Sequence, residues 1–384
     1  MNNRHALLKD WLLSGNCFKM ICGAGNEDVV QVEKLSFIYT LAGAKILDVS
    51  ANTSVVKAAK KGIDLAFRFA EDQNIEIEER PFIMVSIGMP GDHHVRKSYI
   101  DPFTCVKCRL CIPVCPTDAI PTDFVGKLDY FKSLNGSLEE ENQDKEIVIK
   151  DLCIGCGKCS AICPKPGIIS YRHNHRELEL LLPKCIEAGA ELFELHAAID
   201  DDEHTLQEWE IINNINSTNY NSICLDRLNL GNIHLEHRIA EVKKLCEDRL
   251  IVQADGYPMS GGEDDYNTTL QAVACADVIN KKFNMTINTK RTIDKVGKTK
   301  ISSKKKYKKT ISVPIILSGG TNSFTKELAE KTEVNINGVA IGTFARHIVQ
   351  EFTESDDFFS NKQKMISAYK VARKLVERNI NEKR

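Results

Sequence analysis

The sequence has no apolar stretch that approaches the eighteen or more residues of a membrane-spanning helix. Its first residues, MNNRHALLKDWLLSGNCFKMICG, also lack the uninterrupted apolar segment of a secretory signal peptide. The two signs of charge nearly cancel, because the chain has 51 Lys and Arg residues and 53 Asp and Glu residues, for a net charge of -2. A nearly neutral chain carries no global field that would attract nucleic acid or an anionic membrane. We therefore expect a cytoplasmic protein that does not bind nucleic acid and has no transmembrane segment.

Cysteine is plentiful, with fourteen residues in the chain. Disulfide scaffolds are usually short, secreted and poor in apolar core, whereas this chain has 384 residues, of which 42% are hydrophobic. Eight cysteines fall in two runs of the same form, CVKCRLCIPVCP from Cys105 and CIGCGKCSAICP from Cys153. We interpret these eight as thiolate ligands. The other six show no ligand spacing and are expected to pack in the core: Cys17, Cys22, Cys185, Cys224, Cys246 and Cys275.

Both runs have the form C-x2-C-x2-C-x3-C-P, and they resemble the motifs of bacterial two-cluster ferredoxins. Steps of three residues let a tight turn wrap three thiolates around one cubane. The resemblance implies that the fourth thiolate of each run ligates the other cluster. The first [4Fe-4S] cluster would then be held by Cys105, Cys108, Cys111 and Cys163, and the second by Cys153, Cys156, Cys159 and Cys115.

Zinc is the alternative metal, because paired C-x2-C elements also build tetrahedral zinc sites with four cysteine ligands. Zinc ribbons, however, do not need a third and a fourth cysteine in this register. They do not need a proline after the last cysteine either. The motif therefore favours two [4Fe-4S] clusters over zinc.

Outside residues 101–170, short apolar runs alternate with amphipathic segments, a pattern typical of βαβ units and a parallel sheet. Eight runs are candidate strands: 18–25, 44–51, 81–88, 191–199, 221–227, 249–256, 313–320 and 337–343. Helices are expected to start at Asn26 and Thr53, with Asn or Thr at the N-cap. Eight units favour a TIM-type (β/α)8 barrel over an open, doubly wound sheet, which is the alternative and usually has five or six strands.

The cysteine motifs follow the third candidate strand and precede the helical segment HRELELLLPKCIEAGA, so they fall in the third βα loop. Every βα loop of a barrel opens at its C-terminal face, where we therefore expect the clusters. We predict the first part of the barrel at 1–100 and a 2[4Fe-4S] ferredoxin-like insert at 101–170. The rest of the barrel follows at 171–350, with a flexible basic insertion at 284–310, and a C-terminal helix lies in 351–384.

Two further groups of residues are candidates for sites at the barrel mouth. Gly319, Gly320, Gly342 and Thr343 follow the last two strands, where barrels often bind a phosphate group, so FMN is a candidate cofactor. Polar residues at the ends of other strands form the second group, which includes His196, Arg227 and Asp255. Glycine also suits any tight turn, and Asp and His also cap helices, so structural roles stay open for both groups.

Four features together resemble the cyanobacterial light-dependent period A family over nearly the whole chain: CGAGNED at the first strand, the paired cluster motifs, QADGYPMSGG and LSGGTNS…AIGTFAR. The resemblance implies an iron–sulfur protein, more a redox sensor than an enzyme, that reports cellular redox state to circadian input proteins. Its redox donor or acceptor would be a ferredoxin or be linked to the quinone pool. The alternative is an iron–sulfur flavin-dependent oxidoreductase with FMN or a phosphate-bearing ligand at the mouth, by fold-level analogy to dihydropyrimidine dehydrogenase.

Overall fold

Eight parallel strands close into a barrel. Seven lie within the runs that the sequence predicted to be strands, and the first strand begins at Cys17, one residue before its predicted run. They are β1 (Cys17–Ile21), β2 (Ile46–Ser50), β3 (Phe82–Gly88), β4 (Leu192–His196), β5 (Asn221–Asp226), β6 (Leu250–Asp255), β7 (Ile315–Ser318) and β8 (Gly338–Ile341). Strands that are consecutive in this series are hydrogen-bonded neighbours, and β8 closes the ring on β1. The predicted TIM-type barrel is confirmed, and the open sheet is excluded.

The computed structural model describes residues 3–89, 97–115, 117–126, 129, 147–149, 152–153, 157–172, 178–256, 263–288, 291–293, 299–301, 306–309 and 313–380. Within this part, the helices of the outer layer are Val29–Ala42, Thr53–Gln73, Leu178–Ala188, Asp202–Ile215, Arg227–Cys246, Tyr266–Ile279, Thr325–Lys331 and Thr343–His347. Two more helices, Gln350–Thr353 and Lys362–Arg378, follow them. None of the helices in the described ranges is both long enough and apolar enough to cross a membrane.

Two helix starts differ slightly from the prediction. The helix expected from Asn26 begins at Val29, because the Asp28 side chain accepts hydrogen bonds from the backbone N–H of Val30 and Gln31, both at 3.0 Å. Asn26 instead accepts a hydrogen bond from the backbone N–H of Asp28 and forms the turn before the helix. In the next helix the cap is Asn52, so Thr53 is the first helical residue.

The insert occupies the third βα loop, as predicted. It opens with the strand Lys97–Ile100, which pairs antiparallel with Ile169–Arg172, and the chain then enters the helix Leu178–Ala188 before β4. This two-stranded ribbon is the stem of the insert. A small apolar core of its own, which includes Ile100, Phe124 and Ile168, packs above the stem. The predicted limits of the insert and of the other parts of the chain stay predictions.

The basic segment before β7 contains strands. Met285–Asn288 pairs antiparallel with Lys306–Lys309, and Arg291–Ile293 pairs with Thr299–Ile301. Its lysine-rich composition hid these strands, since backbone hydrogen bonding between two strands does not require an apolar face. The predicted flexibility of 284–310 stays a prediction.

The helix Asn3–Ser14 closes the N-terminal end of the barrel. Its residues Leu8, Trp11 and Leu12 pack against the first inward-facing side chains of the strands, among them Ile46 and Phe82. A hydrogen bond of 2.8 Å from Asn337 Nδ2 to the carbonyl oxygen of Leu12 fixes the end of this helix. Among the described residues, this helix therefore closes the N-terminal end of the barrel with apolar side chains.

Trp11 tests the contribution of this seal to stability. Its ring packs edge to face with Phe82, at 5.9 Å between ring centroids. Replacing Trp11 by Ala leaves a cavity, so we expect the free energy of unfolding to fall by about 3 kcal/mol. Urea denaturation followed by far-UV circular dichroism measures the change. Leu13→Ala on the same helix is the control, because Leu13 is 51% exposed; equal effects of the two substitutions would contradict a sealing role.

Candidate functional site

The first cysteine run turns tightly around a cavity in the insert. Lys107 and Arg109, between its cysteines, both adopt the left-handed backbone conformation, with φ of 58° and 62°. This conformation is uncommon for residues other than glycine, and here it curls the loop so that its thiols converge. None of the cysteines that the structure describes forms a disulfide. The local fold therefore suits ligation and not disulfide formation.

Four thiols line this cavity, which is partly open to solvent. Three come from the first run, Cys105, Cys108 and Cys111, and the fourth is Cys163 from the end of the second run. Most of the other lining side chains are apolar: Ile100, Val106, Phe124, Ile168 and Ile169. The structure thus brings together the four residues that the ferredoxin resemblance implies for one cluster. The ligand sets themselves stay a prediction.

Two cysteines of the second run contact the stem of the insert. Ser98 donates its backbone N–H to Cys153 Sγ at 3.4 Å, and its hydroxyl lies 3.3 Å from Cys159 Sγ. All three residues are buried. Cys115 lies partly buried beside the same small core, whereas Cys156 lies outside the described residues. Sequence analysis missed Ser98, because only the pairing of the stem places it at these sulfur atoms.

Lys97 joins the insert to the barrel. Its ammonium group donates to the backbone carbonyl of Cys153 at 2.8 Å and also to the carbonyl of Gly25, in the loop that follows β1. One side chain therefore touches both the second cysteine run and the mouth of the barrel. This contact places the predicted cluster site next to the C-terminal face, where the sequence had predicted it.

The barrel interior contains charged residues. Lys19 of β1 is fully buried, and its ammonium nitrogen lies 2.9 Å from Asp48 Oδ2 and 2.8 Å from Glu194 Oε2. It also donates to Gln253 Oε1 at 2.8 Å. Sequence analysis missed these four residues, although each is a polar residue within a predicted apolar strand. That interruption was the available indication of an inward-facing site.

The charges of this group depend on one another. Desolvation would lower the pKa of Lys19, but the two carboxylates beside it raise the pKa above its ordinary value. Desolvation raises the pKa of Asp48 to about 6, against the opposing effect of Lys19. For Glu194 the effect of Lys19 outweighs desolvation, so its pKa lies below the ordinary value. Ser86 donates to Asp48 at 2.6 Å and Ser222 donates to Glu194 at 2.6 Å, which further satisfies both carboxylates.

Two of the three predicted mouth residues lie in the barrel interior. His196 at the end of β4 and Asp255 at the end of β6 are both buried. Cys224 of β5 lies between them: it pairs with His196 across the strands, and its thiol donates to Asp255 Oδ2 at 3.6 Å. Arg227 lies on the helix that follows β5, and its Nε donates to Asn232 of that helix at 2.9 Å. The interior thus combines His196 and Asp255 with a cysteine that sequence analysis attributed to core packing.

Close packing accounts for Gly319 and Gly320. Both have positive φ, 69° and 70°, and an added Cβ would lie 2.2 Å from Asp255 Oδ1 at the first and 2.1 Å from the Thr268 carbonyl oxygen at the second. Only glycine fits these positions, whatever ligand the mouth binds. Gly342 precedes the short helix that begins at Thr343, whose side chain is exposed. The phosphate and FMN sites stay predictions.

Two family models match the chain. A 4Fe-4S double cluster binding domain matches residues 104–174, which include all eight motif cysteines. The light dependent period A C-terminal domain matches residues 185–381, just over half of the 384 residues. The first match supports iron–sulfur binding by the insert, and the second covers the barrel from the third helix of the ring onward.

Several curated proteins are similar to parts of the chain. The protein named light dependent period A, from Synechococcus elongatus, is 31% identical over 201 residues, which are 52% of this chain and 49% of that protein. An epoxyqueuosine reductase of Bacillus cereus is 37% identical over 81 residues, 20% of each chain. An uncharacterized ferredoxin of Methanocaldococcus jannaschii is 31% identical over 106 residues, 26% of this chain and 58% of that one. The chain therefore spans about half the length of the first relative.

Lys19→Met tests the buried ionic group. The substitution leaves Asp48 and Glu194 without their cation, so we expect the free energy of unfolding at pH 7 to fall by about 3–5 kcal/mol. Without the ammonium group the pKa of both carboxyls rises in the folded state. Protonation then removes the buried charge, and the deficit relative to the unaltered protein shrinks as the pH falls from 7 to 5.

Urea denaturation at several pH values in this range measures that trend. The control is Lys45→Met, because Lys45 is also buried but pairs with Glu78, whose side chain is 50% exposed. Its expected cost is at most about 1 kcal/mol and does not depend on pH between 5 and 7. A deficit for Lys19→Met that is independent of pH would contradict the ionic interpretation.

Ser98→Ala tests the hydrogen bonds to sulfur. Donors to thiolate sulfur stabilise the reduced, more negative form of a cluster. Loss of one such hydrogen bond should make the potential of the cluster predicted on the second run about 20–60 mV more negative. A redox titration followed by electron paramagnetic resonance measures this potential. Ser160→Ala is the control, since the Ser160 hydroxyl bonds a backbone carbonyl of the stem; an equal shift in both variants would refute a specific role for Ser98.

Proposed function

The chain belongs to the light dependent period A family, and from this premise we propose that it is a redox sensor with two [4Fe-4S] clusters that informs the circadian input machinery. That it is an iron–sulfur protein rests on the double-cluster domain matched at residues 104–174. One observation carries the finer proposal. Cys105, Cys108 and Cys111 of one motif share a cavity with Cys163 of the other, as crosswise ligation of two clusters requires.

The residues of the insert have distinct roles in this proposal. Cys105, Cys108, Cys111 and Cys163 would hold the first cluster, and Cys153, Cys156, Cys159 and Cys115 the second. When bound, such clusters supply reversible one-electron redox chemistry. Apolar side chains line most of the rest of the cavity around the first set of thiolates, of which Cys108 is exposed. Ser98 and Lys97 place hydrogen-bond donors and a positive charge beside the second set.

The link through Lys97 supports a sensor. Lys97 bonds both the Cys153 carbonyl and the loop after β1, so its positive charge would interact with the charge of a cluster held by the second motif. A change of one electron in that cluster would therefore alter the forces on a loop at the mouth of the barrel. We propose that a cytoplasmic donor or acceptor, either ferredoxin or a component linked to the quinone pool, sets this charge. Circadian input proteins would bind the surface at the barrel mouth whose conformation this charge alters.

Metal and flavin content test the proposal. Protein prepared without oxygen should contain about eight iron and eight sulfide per chain, four for each cluster, and no flavin. Cys163→Ser should lose the first cluster and retain about four iron, although Cys163 belongs to the second motif. The control is Cys185→Ser, because Cys185 is a buried thiol of the helix after the insert and should leave all iron in place.

Two results would contradict the sensor. Stoichiometric FMN would favour the flavin-dependent oxidoreductase. A preparation with only zinc, made without oxygen in iron-replete medium, would replace both iron–sulfur proposals with a zinc site. Loss of the cluster of the second motif in Cys163→Ser, with the first intact, would contradict crosswise ligation alone.

A further inference from the structure

A second set of metal-binding side chains lies inside the barrel, away from the cysteine motifs. It consists of Glu194 and His196 on β4 and Cys224 on β5, and their ligand atoms all lie within 4.8 Å of one another. Two facts of strand geometry bring them together. Residues two apart on one strand face the same side, and Cys224 is the direct neighbour of His196 on the adjacent strand. All three are buried.

The spacing of two of these ligands already suits a metal ion. Glu194 Oε1 lies 3.4 Å from His196 Nε2. Two ligands of a tetrahedral zinc ion, each about 2.1 Å from the metal, stand about 3.4 Å apart. Glu194 Oε1 is buried and accepts no hydrogen bond from the residues that the structure describes. This oxygen is therefore placed and available as a ligand.

Hydrogen bonds from the surrounding residues orient the ligands, as such bonds do in protein metal sites. The other oxygen of Glu194, Oε2, accepts from Ser222 at 2.6 Å and from Lys19 at 2.8 Å, so the carboxylate is fixed with Oε1 toward His196. Gln253 Nε2 donates to Cys224 Sγ at 3.4 Å. The same sulfur donates its proton to Asp255 Oδ2 at 3.6 Å, so metal binding would release that proton, and the Gln253 donor would then stabilise the thiolate that binds the metal.

The charge of the interior also calls for a further cation. Asp48, Glu194 and Asp255 are buried carboxyl groups that face the interior, and Lys19 is the one permanent cation among the inward-facing strand residues described. Unbalanced charge in a protein interior is costly. A divalent cation beside Glu194 would offset this excess of negative charge. The Cys224 thiolate would then be a second negatively charged ligand of that cation.

We propose that Glu194, His196 and Cys224 bind one divalent metal ion of the zinc class inside the barrel, with a fourth position left for water or a small ligand. One thiolate, one imidazole and one carboxylate suit zinc, whereas magnesium and calcium prefer oxygen ligands alone. Three protein ligands are typical of zinc sites that keep a position open. This site is independent of the clusters and of the redox-sensor proposal.

X-ray absorption at the zinc edge tests the site on the full chain, because iron has no absorption edge at that energy and its neighbours do not contribute to the zinc fine structure. Protein from zinc-supplemented medium should hold one zinc per chain, with one sulfur at about 2.3 Å and nitrogen or oxygen at about 2.0–2.1 Å. Zinc that had entered the cysteine motifs would show four sulfur neighbours. This difference separates failure of the metal-site proposal from failure of the cluster proposal.

Cys224→Ser should lose the sulfur neighbour and lower zinc affinity at least tenfold. The matched control is Cys275→Ser, a fully buried thiol that bonds a backbone carbonyl, which should retain both. Circular dichroism checks that both variants fold. The unaltered protein alone can contradict the proposal. Only trace zinc after supplementation, or zinc with four sulfur neighbours alone, would overturn it. Equal zinc loss in the two folded variants would also overturn it.

Discussion

A single buried ammonium group joins four strands of the barrel. Lys19 of β1 binds Asp48 of β2, Glu194 of β4 and Gln253 of β6, all within 3 Å. These bonds form only when the ring of strands is complete and in register, because a shift of one residue would turn each side chain out of the interior. Once both carboxylates are buried, loss of the cation would leave them uncompensated. Ser86 donates to Asp48 and Ser222 donates to Glu194, and His196 in turn contacts Ser86.

Closure of the ring also determines where the insert lies. Its stem leaves the barrel after β3, and the end of β3 is at the same face as the ends of all other parallel strands. The loop after β1 is therefore near enough for Lys97 of the stem to bond Gly25. At the opposite face the helix Asn3–Ser14 fills the barrel with apolar side chains. The polar interior and the cysteine motifs thus share one end of the molecule.

The sequence predicted the strands and the motif cysteines better than it predicted the interior. Barrel strands are buried on both faces, so they appear as short apolar runs, and the ligand spacing of the motifs lies within one loop. Lys19, Asp48 and Glu194 lie inside those strands, yet a lone polar residue faces inward or outward according to a register that only the closed ring defines. Ser98 was missed for a similar reason, since it reaches the sulfur atoms through the pairing of two distant segments. Local patterns were thus readable, and contacts between distant strands were not.

Position in the fold determines the chemistry of the cysteines that the structure describes. Burial raises the pKa of the Cys17 thiol and of the Cys22 thiol to about 12, so neither forms a thiolate near neutral pH or reacts readily. Cys108, in contrast, is exposed on a turn whose other thiols converge on a common cavity. Cys224 is as buried as Cys17, yet an amide donor contacts its sulfur and a glutamate and a histidine lie beside it. Burial alone therefore does not make a cysteine inert: the polar groups that the barrel places around the sulfur decide whether it can act as a ligand.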